Sequence, residues 1–142
     1  DRTRNINFDW NRMLSFEGET APYIQYTHAR CSSILRKLEL KENQINTKVD
    51  FKALSTSQEH DLIWQIYNFK KAIVRAAKDN KPHHLAQYLI SLAQTFNDFY
   101  HHCHVNIDDQ KTKEARILLV ESTRQIIENG LYLLGIKAPK EM

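Results

Sequence analysis

The chain has 142 residues, enough for one domain with a buried core. Three glycines and three prolines are too few for a turn-rich β fold or a disordered tail. A net charge of +3 permits a basic patch without demanding one, so charge alone does not establish nucleic-acid binding.

Asp1 to Asn7 is polar and reads as extended or frayed, and Phe8 to Leu14 as a short helix. Asp9 is its cap, with Trp10, Met13 and Leu14 on one side. Ser15 to Ala21 is a loop, since Gly18 permits unusual backbone angles and Thr20 and Pro22 announce a helix start. The first long helix is expected over 22–40. Ile24, His28, Cys31, Leu35 and Leu38 form one stripe; Tyr23, Tyr26 and Arg30 form another, about a third of a turn away. The first stripe suits a core. The second offers two rings and a guanidinium, which suits stacking of unpaired RNA bases and a planar grip on phosphate. The same tyrosines equally suit packing against a neighbouring helix.

Residues 41–54 keep no period and read as a surface connection. Thr56 or Ser57 caps a second long helix over 57–79, with Glu59 in its first turn favouring the dipole. Its expected buried row is Leu62, Ile66, Phe69 and Ile73, joined by Ala72, Ala76 and Ala77, and Asn68 is a candidate break. Pro82 ends that helix and opens a third, over 82–103, striped by Leu85, Leu89, Leu92, Phe96, Phe99 and Cys103. A fourth helix is expected over 111–134, its core row Ala115, Leu118, Leu119, Ser122, Ile126 and Leu133. Gly130 inside it costs about 1 kcal/mol relative to Ala, which suggests another backbone or a ligand approaching closely. Gly135 stops the helix, and Ile136 to Met142 forms a short tail. No strand alternation or repeat is visible, so the fold class is an all-α helical bundle.

Little in the chain points to catalysis. In His101-His102-Cys103-His104 only His101 and His104 share a helix face, and no second ligand pair follows, so no metal is expected. His83 and His84 read as a solvated helix start. Glu17 and Glu19 lie in a loop with no nucleophile nearby, and the isolated glycines form no phosphate cradle. Arg30, Arg36, Lys37, Lys70, Lys71, Arg75, Lys78, Arg116 and Arg124 read as mostly solvated helix faces. Cys31 and Cys103 are expected to be reduced thiols, which fits a cytoplasmic protein. The sequence has no signal peptide and no long apolar run, and no membrane contact is expected.

The segment Ser-Phe-Glu-Gly-Glu-Thr-Ala-Pro-Tyr-Ile-Gln-Tyr-Thr-His-Ala-Arg, residues 15–30, resembles the junction between the catalytic core and the C-terminal helical domain of class I arginyl-tRNA synthetases. Asn97-Asp98-Phe99-Tyr100, Thr123-Arg124-Gln125, Asn129-Gly130-Leu131 and Leu133-Leu134-Gly135-Ile136 continue the resemblance in order to Met142, across almost the whole chain. Thr27 departs from the family's common Ala, and the family does not require the His-rich 101–104 stretch. The resemblance implies a junction at 1–21 and an anticodon-binding helical bundle at 22–142, an excised piece ending at the enzyme's true C-terminus. The parent would be an ATP-dependent arginine–tRNA ligase. Its His-x-Gly-His and Lys-Met-Ser-Lys-Ser motifs are not found here and would lie upstream, so this chain would bind RNA without catalysis. No cofactor is implied for the chain itself, and ATP with magnesium for the parent. The implied partners are the anticodon loop of tRNA specific for arginine and the upstream catalytic domain. DNA is not a partner, and a monomer is expected. The implied RNA contacts are Tyr26, Tyr100 and Met142, with Tyr23 and Arg30 on the same element. A helical protein–protein interaction module is the alternative. Convergence of Tyr26, Tyr100 and Met142 on one exposed cationic face favours RNA, and burial of all three favours the alternative.

Overall fold

A computed structural model describes residues 9–15, 18–40 and 44–142, apart from the side chains of Arg12 and Met13. The expectations resting on residues 1–8, on the Met13 side chain, on Glu17 and on residues 41–43 lie outside the described residues. The elements are α1 (Trp10–Met13), α2 (Ala21–Lys37), a 3-10 turn (Phe51–Ala53), α3 (Ser57–Tyr67), α4 (Phe69–Asp79), α5 (His83–His102) and α6 (Gln110–Leu133). No strand occurs among the described residues. The all-α reading therefore holds, and the helix expected over 57–79 is two helices that meet at Asn68.

Local chemistry sets the ends of these helices. The Thr20 hydroxyl accepts the Tyr23 amide at the start of α2, and Pro22 sits in the first turn, where a missing N–H costs nothing. At the start of α3, Thr56 accepts the Glu59 amide while Glu59 reaches back to the Thr56 amide, a capping box. Asp109 caps α6 by accepting the Thr112 amide. Three helices stop in the same way. After α2, α4 and α6, the left-handed residues Glu39, Asn80 and Gly135 let the next amide reach back to Leu35, Ala76 and Leu131 respectively.

α2, α5 and α6 enclose most of the core, with α3 packed on α5 and α6 and α4 on α5. Phe96, Phe99, Leu89, Leu92, Ile127 and Leu131 are fully buried, and Cys31 and Cys103 are buried free thiols. The row expected on the 57–79 helix is shallower than its sequence suggests. Leu62 is buried, Ile66, Phe69, Ile73 and Ala76 only rim the core, and Ala77 is exposed. On α6 the expected row is displaced. Ile117, Leu119, Val120, Thr123, Ile127 and Leu131 go inside with Ala115, Leu118, Ser122 and Ile126 are half-buried, and Leu133 is exposed. The physical reason is that α6 packs on α2, α3 and α5 together. Its buried arc is wider than one stripe and includes polar residues. Thr123 satisfies its hydroxyl on the Leu119 carbonyl.

The close neighbour of Gly130 is a side chain. A Cβ there would lie 2.6 Å from a methyl carbon of the buried Leu89, so the glycine lets α5 and α6 approach side chain to backbone. Two of the cations expected on solvated faces are interior. Arg124 is buried and donates to both carboxylate oxygens of Glu121 and to Glu128. Arg116 is largely covered, donating Nε to Glu59 at 2.7 Å and Nη1 to the His104 carbonyl at 2.6 Å.

Candidate nucleic-acid interface

The second stripe of α2 meets the C-terminal half of α5 through one arginine. Arg30 sits 4.9 Å from the Tyr26 ring centroid and 5.4 Å from that of Tyr100. It also donates Nη1 to Asn97 Oδ1 at 3.0 Å and Nη2 to the Tyr26 hydroxyl at 3.2 Å. Asn97 is fixed in turn, donating its amide to the Tyr23 hydroxyl at 2.8 Å. A planar fork with several donors can hold two rings and an amide at once, which an ammonium cannot. Cation–π contacts of this kind contribute roughly 0.5–1 kcal/mol each at exposed sites. Arg30 therefore orders the rings, in addition to offering positive charge.

The third wall is the C-terminal tail, and α2 holds it. Gln25 Nε2 donates to the Lys137 carbonyl at 2.8 Å, His28 Nδ1 bonds the Pro139 carbonyl at 2.7 Å, and Arg36 pairs with Glu141. A carbonyl can only accept, so the His28 ring carries its proton on Nδ1. Burial of the ring lowers the His28 pKa; the Pro139 carbonyl and the Glu128 charge push it up by less, while Arg124 and Lys140 lower it further. Burial thus keeps the ring neutral, and its Nδ1–H holds the tail.

Together these elements make an open groove of about 550 Å³ lined by Tyr26, Arg30, Lys37, Tyr100, Lys140 and Met142, among others. Tyr26 is 38% exposed, Tyr100 37% and Met142 56%, so each offers a ring or thioether to solvent. Arg36 and Glu141 also line it, and Ala29 and Ile34 give it an apolar floor. The structure thus brings together Tyr26, Arg30, Tyr100 and Met142. Tyr23 is not part of the lining; it is half-buried and serves Asn97. Sequence reasoning missed two supporting residues. Asn97 is named only within the Asn97–Tyr100 block of the resemblance, with no role; its place three residues before Tyr100 on the same helix face is the signal that could have found it. His28 is readable as a core residue, but its hold on the tail spans 111 positions.

A groove with two half-exposed rings, a thioether and a cationic rim suits an unpaired nucleotide. The DALR anticodon binding domain family matches residues 24–142. The chain belongs to that family. The DALR domain here is 40% identical over 141 residues to an arginine–tRNA ligase of Clostridioides difficile, covering 99% of this chain and 24% of that protein. It is 44% identical over 147 residues to an arginine–tRNA ligase of Pyrococcus furiosus, covering 98% and 23%. The DALR domain therefore spans about a quarter of the length of the curated relatives it matches. Among solved structures, the Thermus thermophilus arginyl-tRNA synthetase superposes with a TM-score of 0.82 at 36% identity, covering 98% of this chain and 24% of that one. The Plasmodium falciparum arginyl-tRNA synthetase gives 0.80 at 28% identity, covering 99% and 24%. Among the described residues, no group of three or more His, Cys, Asp or Glu is arranged to hold a metal ion, and His101 and His104 belong to no such group. No helix among the described residues is long and apolar enough to cross a membrane.

Proposed function

We propose that this DALR domain is the anticodon-binding part of an arginine–tRNA ligase, and that its groove takes an unpaired base of the anticodon loop. In this reading the parent enzyme joins arginine to its tRNA with ATP and magnesium, on a catalytic domain upstream of a junction at residues 1–21. The reading extends to a monomeric enzyme of the cytoplasm; the two free thiols suit the compartment, and light scattering checks the monomer. The observation that carries the reading is the convergence of Tyr26, Tyr100 and Met142 around Arg30 in one exposed groove with a cationic rim. A base would stack on a tyrosine ring, Met142 would close the open side, and Lys37 and Lys140 would face phosphate. Arg30 holds both rings in position, so the site is assembled before RNA arrives.

The test is a titration with an arginine-tRNA anticodon stem-loop at several salt concentrations. Base–aromatic stacking contributes about 1–3 kcal/mol per base. Tyr26→Ala or Tyr100→Ala should then weaken binding by roughly one to two powers of ten, with the helical spectrum unchanged. Arg30→Lys keeps the charge and loses the fork, so it should weaken binding while preserving the salt slope; Arg30→Ala should lower that slope as well. Wild-type affinity in both tyrosine variants would refute the site and favour a protein-docking role for this face.

A further inference from the structure

Outside the groove, α3 and α4 carry a second aromatic and cationic surface. Trp64 and Tyr67 are 61% and 66% exposed, and their rings stack with centroids 5.8 Å apart and planes 25° apart. The Lys71 ammonium lies 5.5 Å from each centroid. Neither ring belongs to the core cluster. α4 has no fully buried residue; its inner edge of Phe69, Ile73 and Ala76 rests on the core, and the remainder faces outward. Between residues 70 and 81 the sequence places five cations against one carboxylate, Asp79, a local excess larger than the net +3 of the whole chain. Lys71, Arg75 and Lys78 follow at helical spacing along the exposed side, continuing from the aromatic pair. Asp79 takes Arg75 at 3.9 Å and His84 at 3.2 Å, which neutralises the far end of the stripe only in part.

We propose that this face binds a second stretch of RNA, without sequence preference, through phosphates on Lys71, Arg75 and Lys78 and through stacking on Trp64 and Tyr67. One observation favours RNA over an acidic protein surface. Cations alone would serve either partner. A stacked, solvent-facing indole and phenol beside them add π-faces that match bases and leave carboxylates unserved, a combination typical of sequence-tolerant RNA binding. The face lies on elements that do not line the groove, so one RNA could engage both without competition.

The experiment uses two probes, the anticodon stem-loop and a full-length arginine tRNA transcript. The triple variant Lys71→Gln, Arg75→Gln, Lys78→Gln changes only exposed side chains and should keep the wild-type circular dichroism. It should lose about tenfold in affinity for the full-length transcript, with the salt slope reduced by about 2, since each lost phosphate contact removes roughly 0.7–0.9. Stem-loop affinity should stay unchanged; a loss with both probes would place the second stretch within the stem and still support RNA contact. In a Trp10→Phe background Trp64 is the sole tryptophan, and its emission should be quenched by the transcript. Unchanged transcript binding by the triple variant would overturn the proposal. So would displacement of the transcript from this face by poly(glutamate) as readily as by poly(U), which would assign the face to an acidic protein. The outcome is separable from that for the groove, because Tyr26→Ala tests the groove with the stem-loop alone.

Discussion

The imidazole of His28 works as a neutral donor, and that sets the direction of its pH response. Its Nδ1 holds the Pro139 carbonyl, while Nε2 is buried without a hydrogen-bond partner among the described residues. Protonation would place a charge where no acceptor stands, and burial accordingly lowers the pKa from the usual 6.5. A group with a lowered folded pKa binds protons more readily in the unfolded chain. Its stabilising contribution is therefore complete above about pH 6.5 and is lost as the pH falls from there through the folded value. Urea unfolding at pH 7.5 and 5.5 should show a drop for the wild type that is smaller in His28→Leu. Equal drops in both proteins would show that His28 does not carry the effect. Single residues are also where sequence reading was weakest. Arg124 looks like any solvated helix cation until its glutamate partners and its burial are known. Gly130 signals close approach, yet only the fold names Leu89 as the neighbour.

At the scale of elements, caps and stops were the most legible features, because their chemistry is local. Thr56, Pro22 and Gly135 act where their residue types place them. Less legible was what Glu59 does. It reads as a residue favouring the helix dipole, but it is also the buried node that ties the α3 start to α6. One oxygen accepts the Ser55 and Thr56 amides and the other accepts from Arg116, which also grips the loop after α5 at His104. Burial pushes the Glu59 pKa up, but the Thr56 and Arg116 hydrogen bonds outweigh it and hold the carboxyl below the usual 4.5. The charged form is thus the folded form, and its stabilising contribution is present above about pH 4.5 and lost as acid protonates it. Glu59→Gln keeps the amide contacts but strands a mostly covered guanidinium, a change that costs about 3 kcal/mol or more. Denaturant unfolding at pH 7 should show that loss. Removing both partners, as in Glu59→Gln with Arg116→Met, should recover part of it. A single variant as stable as wild type would show that the pair contributes nothing.

For the whole molecule, helical periodicity was enough to give the bundle, because apolar stripes every three or four residues are written in the sequence itself. The Tyr26 and Arg30 wall of the groove was legible in helical spacing, but Tyr100 and Met142 joined it only through resemblance, since the walls come from positions 26–37, 100 and 140–142. Nothing in spacing says that a tail beyond Gly135 folds back onto α2. The hydrogen bonds from Gln25 and His28 and the pairing of Arg36 with Glu141 do that. A ligand seated in such a groove bridges α2, α5 and the tail at once, so it should stabilise the entire bundle. A ligand that binds only the folded state adds about 2.7 kcal/mol at a hundred times its Kd. For a chain of this size that corresponds to a rise in Tm of roughly 5–10 °C. Thermal unfolding followed at 222 nm, with and without the anticodon stem-loop, should show a single transition moved upward. In Tyr26→Ala and Tyr100→Ala the shift at the same RNA concentration should shrink toward zero as Kd rises. Truncation before Lys140 should shrink it equally, since Met142 leaves the groove and the Arg36 tether goes with it. An RNA-induced rise that persists undiminished in the truncated chain would show that the tail is no part of the binding site.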